Sequence, residues 1–462
     1  MEFKLKPIEV PVETPFKFDV LNRKESIEAL TNLINSLNGP FVLTIDSPWG
    51  TGKTTFIRIW KAVLESQNFA CLYFNAWEKD FSTDPLVAFL GDFEDLEKNI
   101  QPKNKDFNKY FNKAKKIGTA LARRALPLAG KLATSGLLDV DEIIKKYLSD
   151  IVSGSIKDAV DAYLKEKDLI VKFHKSLSEA IATLKERGKK DQLIVFVDEV
   201  DRCRPTFAIE LLERIKHLFN IDNVIFVLSL DKQQLSVSLR AIYGDGLDSD
   251  EYLRRFIDLE YALPKIDSEA FTKNLVNRFG FEAFFAERTS RDFGYDRKHL
   301  EEVFISLSDI LQISLRTREQ CFTRIRVAMM MIPPKYPLYP HLFTTLVILK
   351  AGAPEIYRRY MFEDGLASEV LDHIRSLNGG PEFLHSHPGK VTEAYLIAAK
   401  QRKQGGTPEY NRYREVMENQ SAGEQEKERA NWIINIISEI NMREGLSLGY
   451  LLKIIELAGQ VQ

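Results

Sequence analysis

The chain has 462 residues, of which 44% are hydrophobic and 28% are charged, and its formal net charge is −2. These values are typical of an ordinary soluble globular protein with two or three domains, and the near-neutral charge indicates no particular partner. The sequence contains no run of about 18 apolar residues, which excludes a transmembrane helix, and its N-terminus lacks the apolar core of a signal peptide. Three isolated cysteines form no metal or disulfide pattern, so we expect a reducing, cytoplasmic location.

The first predicted elements lead to a glycine-rich loop. Residues 22–37 are predicted to form an amphipathic helix, and the apolar run 41–45 predicts a strand. A helical pattern begins again at Thr55. Between strand and helix lie eight residues that match the phosphate-binding pattern G-x-x-x-x-G-K-[ST] except at the first position: Ser47-Pro48-Trp49-Gly50-Thr51-Gly52-Lys53-Thr54.

A glycine-rich loop between a strand and a helix can bind phosphates through its backbone. The N–H groups of the loop point toward the anion, and the N-terminus of the helix adds partial positive charge. Lys53 can reach the β- and γ-phosphates, and the Thr54 hydroxyl can bind Mg²⁺. The arrangement therefore predicts a nucleoside triphosphate site, although Gly-Lys-Thr also occurs by chance in surface turns.

A second short strand at 70–74 is followed by a long, mostly helical insertion over residues 81–190. Within it, residues 101–131 carry nine basic side chains against a single acid, Asp106. Together with the leucines between 117 and 138, this pattern fits binding to an anionic membrane surface or to nucleic acid. It fits equally an exposed basic helix whose leucines pack on the core. The basic residues are Lys103, Lys105, Lys109, Lys113, Lys115, Lys116, Arg123, Arg124 and Lys131.

A second motif supports the nucleotide site. The continuous apolar run 193–197 is typical of a buried parallel strand, and it ends in Asp198 and Glu199. A carboxylate in the position of Asp198 can hold Mg²⁺ and its water shell, as in the Walker-B arrangement. Glu199 is then placed to orient or deprotonate the attacking water. The alternative is an acidic turn after a core strand.

The remaining elements complete a parallel α/β core and a helical C-terminal part. The run 224–228 predicts another buried strand, and 258–264 predicts an edge strand. Strands that alternate with helices indicate a parallel sheet with crossover helices. We expect four regions: a P-loop core of 1–80 and 191–265, a helical insertion 81–190, a helical lid or C-terminal domain 266–400, and a polar linker with terminal helices 401–462.

Several stretches between about residues 15 and 265 resemble the KAP family of P-loop NTPases. Trp49-Gly50-Thr51-Gly52-Lys53-Thr54 resembles the family's W-G-x-G-K-[ST], and Phe74-Asn75-Ala76-Trp77 resembles its F-N-A-W. The block Asp198-Glu199-Val200-Asp201-Arg202-Cys203-Arg204-Pro205 is similar to D-D-L-D-R-C-x-P. Tyr252-Leu253-Arg254-Arg255-Phe256 is similar to Y-L-x-K-[FI]. The sequence departs from the family at Ser47, usually Gly, and at Glu199, commonly Asp.

The resemblance implies a P-loop core with an additional strand, related to the AAA+ and STAND switches. It implies that ATP is bound by seven residues of the loop and helix start, and that Mg²⁺ is bound by Thr54 and Asp198. Glu199 would activate water and Ser229 would occupy the sensor position. The seven ATP-binding residues are Trp49, Gly50, Thr51, Gly52, Lys53, Thr54 and Thr55.

The resemblance also implies assembly and partners. Arg254 or Arg255 would be an arginine finger supplied by a neighbouring subunit, or would form a salt bridge with a nearby acid. We expect a homo-oligomer that acts with a separate effector protein, often in bacterial defence against phage. The alternative is an ATP-dependent scaffold or nucleic-acid sensor with little turnover. Many family members carry transmembrane helices between the two Walker motifs, but the insertion here is too polar for that, so only peripheral membrane contact stays open.

Overall fold

The computed structural model divides the chain into two compact units, a first unit of residues 6–265 and a second unit that contains residues 266–462. The description covers residues 9–82, 84–99, 105–133, 156–286, 295–332, 337–363, 365–400, 407–442, 450–451 and 453–456. The first unit contains the predicted nucleotide-binding elements, and the second is helical throughout its described residues.

A five-stranded parallel sheet forms the centre of the first unit, in the order β2-β3-β4-β1-β5. The predicted parallel sheet and the edge position of β5 are confirmed. Because all strands run in the same direction, their carboxyl ends meet at one edge of the sheet. The strands are β1 (Phe41–Asp46), β2 (Ala70–Asn75), β3 (Leu193–Asp198), β4 (Val224–Leu230) and β5 (Leu259–Ala262).

Helices cover both faces of this sheet, which explains why its central strands are apolar without alternation. On one face, Ile27 and Trp60 are fully buried against residues such as Leu43. On the other face, the insertion helices pack around Phe89 and Phe226. The helices are α1 (Lys24–Ser36), α2 (Lys53–Ser66), α3 (Ala76–Lys79), α4 (Pro85–Asn99), α5 (Lys105–Ala133), α6 (Ile156–Ala182), α7 (Pro205–Leu218), α8 (Lys232–Tyr243) and α9 (Ser249–Leu253).

The described part of the basic stretch is the amphipathic helix α5. Its apolar side chains Phe107, Phe111 and Leu121 are buried in the core of the first unit. Lys109, Lys113 and Lys116 are exposed. The side chains of Lys103, Lys105, Arg123, Arg124 and Lys131 lie outside the described residues. Among the residues that the structure describes, no helix is both long and apolar enough to cross a bilayer.

The second unit is built from helices packed around helix α14 (Pro340–Gly352), which is buried over most of its length. The polar stretch predicted as a linker contains a helix, α19. Thr407 caps it by accepting a hydrogen bond from the N–H of Tyr410 at 3.2 Å, and Pro408 follows at the first position. The helices are α10 (Ser268–Arg278), α11 (Phe281–Ala286), α12 (Asp296–Ile310), α13 (Leu315–Met331), α14 (Pro340–Gly352), α15 (Pro354–Phe362), α16 (Ala367–Ser376), α17 (Gly380–His385), α18 (His387–Lys400), α19 (Pro408–Glu418) and α20 (Glu424–Met442).

A buried arginine joins three helices of this unit. Arg318 on α13 is only 3% exposed. Its Nε donates to the carbonyl oxygen of Ile313 at 2.9 Å, and its Nη1 donates to the Ser268 hydroxyl at 2.8 Å. Its Nη2 donates to Oδ1 of Asp309 at 2.7 Å. Each guanidinium nitrogen therefore has an oxygen partner, which satisfies a charge that would be costly to bury alone.

Candidate functional site

The loop after β1 has the backbone shape that phosphate binding requires. Gly50 and Gly52 have φ of 77° and 91°, a region that residues with a Cβ rarely adopt. Ser47 has no positive φ, and its N–H donates to the carbonyl oxygen of Leu230 at 3.3 Å. The position of Ser47 therefore does not need glycine, and serine continues the pairing of β1 with β4 without backbone strain.

Helix α2 begins directly at the loop and offers free backbone donors. Gly52 is its N-cap residue, and no side chain caps it. The first N–H groups of a helix have no partner within the helix, so those of Lys53, Thr54 and Thr55 are available to an anion. Helix α8 differs, because Asp231 caps it by accepting hydrogen bonds from two backbone N–H groups.

Lys53 is the cation of the loop. Its Nζ donates to the carbonyl oxygens of Ser47 and, at 3.2 Å, of Pro48. Burial lowers the pKa of Lys53, and the charges of three buried acids oppose that shift: Asp201, Asp231 and Asp198. An ammonium that donates only to carbonyl oxygens can donate to phosphate oxygens in their place.

Asp198 ends β3 and is held firmly. It is 1% exposed, and its Oδ2 accepts a hydrogen bond from the Tyr73 hydroxyl at 2.9 Å. Its Oδ1 accepts one from the N–H of Glu199 at 3.0 Å. Burial and the charge of Asp198 raise the pKa of Tyr73 above its ordinary value, so this hydroxyl stays a donor. Tyr73 on β2 is thus a positioning residue that the sequence analysis missed.

Glu199 has a strained backbone and an occupied carboxylate. Its φ of 61° is rare for a residue with a side chain and is typical of functional sites. The carboxylate forms an ion pair with Arg202 and accepts a hydrogen bond from Nδ2 of Asn75 at 3.2 Å. Oδ1 of Asn75 accepts a hydrogen bond from the N–H of Glu78, which turns the amide nitrogen toward Glu199. The predicted water-activating residue is therefore bound by two groups of the protein.

The residues predicted for Mg²⁺ offer the oxygen ligands that this ion prefers. Thr54 lies in the first turn of α2, and Asp198 lies at the carboxyl end of β3. Ser229 lies opposite Asp198 in the sheet, and its buried hydroxyl has no hydrogen-bond partner. No group of three His, Cys, Asp or Glu that could bind a metal occurs among the described residues. Mg²⁺ at a phosphate site needs no such group, because phosphates and waters complete its coordination.

The two predicted finger arginines follow α9 and are exposed. Arg254 forms an ion pair with Glu251, with Nη1 and Oε2 separated by 3.0 Å. The guanidinium of Arg255 lies 5.8 Å from the ring centroid of Tyr252. No hydrogen bond or ion pair joins either arginine to the phosphate loop in the described part of the chain.

Arg23, directly before α1, is a further residue that the sequence analysis missed. It is 3% exposed, and its Nη2 donates to the carbonyl oxygen of Thr51 in the loop at 3.4 Å. Its Nε and Nη1 have no hydrogen-bond partner. Burial lowers the pKa of Arg23, and the charge of Asp19 opposes this shift. An arginine just before an apolar helix was the available signal, but only the fold brings it to the loop.

The chain is similar to a known protein family and to an uncharacterized protein. The sequence profile of the KAP family P-loop domain matches residues 23–331, more than half of the chain. An uncharacterized protein of Methanocaldococcus jannaschii is 30% identical over 179 residues, which cover 34% of this chain and 88% of that protein.

Two solved structures align over nearly the whole chain. They are the Aeropyrum pernix ORC2 protein in its ADP form and Cdc6p from Pyrobaculum aerophilum. The first has 14% identity and a TM-score of 0.31, and it covers 98% of this chain and 97% of that chain. The second has 12% identity and a TM-score of 0.32, and it covers 94% of this chain and 97% of that chain. At these TM-scores the similarity carries no conclusion about function.

Proposed function

Because the chain belongs to the KAP family of P-loop NTPases, we propose that it binds ATP with Mg²⁺ and hydrolyses it as a molecular switch. The observation that carries this proposal is that several groups suited to phosphate and metal binding lie around Lys53. The uncapped helix start, the glycine loop and three buried acids meet at one edge of the sheet. This combination offers cationic donors to phosphates and carboxylates to a cation, as phosphoryl transfer requires.

The chain's own residues can carry out hydrolysis once ATP is bound. Lys53 and the loop N–H groups hold the phosphates, while Thr54 and Asp198 would hold Mg²⁺, which would neutralise charge on the phosphates. Glu199 accepts a proton from the water that attacks the γ-phosphorus. The bond between the γ-phosphorus and the bridging oxygen breaks, and the products are ADP and inorganic phosphate.

Two substitutions test binding and turnover separately. Lys53→Ala removes the phosphate-facing cation, and we expect Mg–ATP affinity to fall by at least 100-fold, roughly 3 kcal/mol. Lys61→Ala is a matched control on the same helix, because Lys61 pairs with Glu65 at 2.7 Å and has no contact with the loop. Glu199→Gln should keep affinity and lower turnover by about 10² or more, since an amide cannot accept the proton. Parent-like hydrolysis by this variant would exclude Glu199 as the base.

Assembly into a homo-oligomer is the second part of the proposal. Arg254 or Arg255 is exposed and could contact ATP on a neighbouring subunit. Substituting either with alanine should leave Mg–ATP affinity nearly unchanged and lower turnover by about 10³ if it is such a finger. Mixing that variant with Asp198→Ala should then restore part of the activity. No rescue at any mixing ratio would indicate a structural arginine or a monomeric protein.

The physiological role that family membership supports is regulation of a bacterial anti-phage complex with a separate effector. The ion pair between Glu199 and Arg202 favours the alternative of a scaffold or nucleic-acid sensor with low basal turnover. Measuring ATP turnover with and without DNA, RNA or anionic vesicles separates the two roles. Strong stimulation by one of them would identify the trigger, whereas low turnover under all conditions would support the scaffold.

The lysines of α5 are the candidate contact for an anionic partner. Changing Lys113, Lys115, Lys116, Arg123 and Arg124 together to Gln should leave ATP hydrolysis intact, because the stretch lies outside the Walker elements. Loss of salt-sensitive DNA or RNA binding would indicate a phosphate-backbone contact. Loss of binding to anionic vesicles alone would indicate a membrane contact. Unchanged binding would leave α5 as a solvated basic helix.

A further inference from the structure

Arg202 lies between the phosphate loop and the end of β2. It closes the short turn Val200–Arg202, and its guanidinium carbon is 5.9 Å from the ring centroids of both Trp49 and Trp77. Trp49 is fixed in turn, because its Nε1 donates to Oδ2 of Asp201 at 2.5 Å. The guanidinium is therefore held between two indole rings, and one of these rings belongs to the loop itself.

The ion pair that Arg202 makes is replaceable. Arg202 and Glu199 keep 23% and 15% of their side-chain surfaces exposed. The two tryptophans are 45% and 53% exposed, so the guanidinium has solvent at its side. A more highly charged anion that reaches the guanidinium from this side can compete with the carboxylate for it.

Arg202 also lies within electrostatic reach of Lys53. Burial is the largest cause of the lowered pKa of Lys53, and the positive charge of Arg202 lowers it further. The geometry agrees with this, because the guanidinium of Arg202 lies against the ring of Trp49, which belongs to the same loop as Lys53. A phosphate group bound at the loop would attract both cations more strongly than a single carboxylate does.

Arg204, the next arginine along the chain, has different hydrogen-bond partners. Arg204 binds Asp80 through its Nε at 2.9 Å and through its backbone N–H at 2.8 Å. Its Nη2 donates to the carbonyl oxygens of Asp80 and Ser82. Arg204 thus anchors the segment after α3 and has no contact with Glu199. It serves as a matched control for Arg202.

We propose that Arg202 is a ligand of the γ-phosphate, and that a bound nucleoside triphosphate takes Arg202 from Glu199 and frees that carboxylate to activate water. This inference rests on the proposed function. A terminal phosphate carries more charge than a carboxylate, and the planar guanidinium can donate two parallel hydrogen bonds to it. A diphosphate lacks this group, so it leaves the ion pair intact.

Asn75 holds the Glu199 carboxylate when Arg202 moves to the γ-phosphate. Its Nδ2 binds Oε2 of Glu199, whereas Arg202 binds Oε1. When Arg202 leaves, Asn75 still holds one oxygen of Glu199 in place, and the other oxygen becomes free to accept a proton. Asn75 is therefore a positioning residue, and its amide is itself oriented by the N–H of Glu78.

The test compares two nucleotides in two variants. In the presence of Mg²⁺, Arg202→Gln should bind the non-hydrolysable analogue ADPNP at least tenfold more weakly than the parent and bind ADP equally well. Arg204→Gln should change neither affinity. Arg202→Lys keeps the charge but loses the planar guanidinium. Its affinity for ADPNP should therefore lie between those of the parent and of Arg202→Gln.

Tryptophan fluorescence provides a signature that a purely structural arginine would not give. Both nucleotides can change the emission of Trp49, which lies in the loop, but ADPNP should cause an additional change in the parent, because Arg202 moves relative to Trp49 and Trp77 only when a γ-phosphate is bound. This additional change should be absent in Arg202→Gln. Equal loss of ADP and ADPNP affinity in that variant, or the same emission change with both nucleotides, would overturn the inference alone. Failure of the parent to bind either nucleotide would overturn the proposed function as well.

Discussion

Two buried arginines show how differently the two units use the same side chain. Arg23 in the first unit and Arg318 in the second are each 3% exposed. Arg318 has an oxygen partner for each of its guanidinium nitrogens. Arg23 leaves two nitrogens without a partner and donates only a long hydrogen bond to Thr51. A complete set of partners is typical of a structural arginine, whereas the incomplete set of Arg23 leaves donors beside the phosphate loop that an anion can use.

The largest expected effect comes from removing the satisfied arginine. Arg318→Leu would remove the donor to Ser268 and to the carbonyl of Ile313, and it would leave Asp309 with only the hydrogen bond from the Ser268 hydroxyl. We expect the free energy of unfolding to fall by about 3 kcal/mol, measured by denaturant unfolding, with unchanged nucleotide affinity. The control Arg375→Leu removes an exposed pair with Asp372 and should cost less than about 0.5 kcal/mol. Equal effects of the two variants would contradict this assignment.

For Arg23 we expect the opposite of Arg318, namely little change in stability and a large loss of nucleotide affinity. In Arg23→Leu, the ligand-free protein should be as stable as the parent or slightly more stable, because a poorly paired buried charge is replaced by an apolar group. Affinity for Mg–ATP should fall about 30-fold, roughly 2 kcal/mol, measured by titration calorimetry. Lys24→Leu is the control, since Lys24 is an exposed neighbour. A destabilised variant with unchanged affinity would make Arg23 structural, like Arg318.

His341 extends the comparison of buried arginines to an uncharged side chain. Like Arg23, it is buried and has a ring or guanidinium nitrogen without a hydrogen-bond partner. Its Nε2 has no hydrogen-bond partner, and its ring contacts His299 and Tyr395. Burial lowers its pKa from 6.5 to about 3, and the charges of His299 and His387 add to this shift. Below pH 6.5, His341 is therefore protonated in the unfolded chain but stays neutral in the folded chain. The free energy of unfolding falls as the pH decreases toward 3.

The expected loss is about 1.4 kcal/mol for each pH unit within that window. His341→Phe should remove this part of the slope, because phenylalanine does not titrate and keeps an aromatic ring beside Tyr395. Denaturant unfolding of parent and variant at pH 8, 6 and 5 measures the difference. A constant difference across these values would show that His341 is not the group responsible.

The fold was predictable from the sequence because its signals are local. Strands β1 to β4 are short apolar runs next to a turn or a polar motif, and burial on both faces makes such runs nearly continuous. Helix α19 was missed as a helix for the same reason. It has no buried residues, so no apolar stripe marks it, and its local signals are limited to the cap at Thr407 and Pro408 at its first position.

The site was predictable only where its residues are contiguous. Gly50 through Thr54, and Asp198 with Glu199, form uninterrupted motifs. The partners of Glu199 and Asp198 on β2 lie more than 120 residues away in the sequence, as the separations of 124 and 125 residues for Asn75 and Tyr73 show. Their roles depend on the pairing of β2 with β3, which no local pattern encodes.

The position of β5 has a consequence for solubility. An edge strand presents unpaired backbone groups that can recruit a strand from another molecule and begin aggregation. β5 is only four residues long, and Glu260 within it pairs with Lys232 at 2.8 Å. Its short length limits the number of hydrogen bonds that a second molecule could form, and its charged pair would have to be covered on docking. The sheet therefore ends in a strand that discourages addition from other copies of the chain.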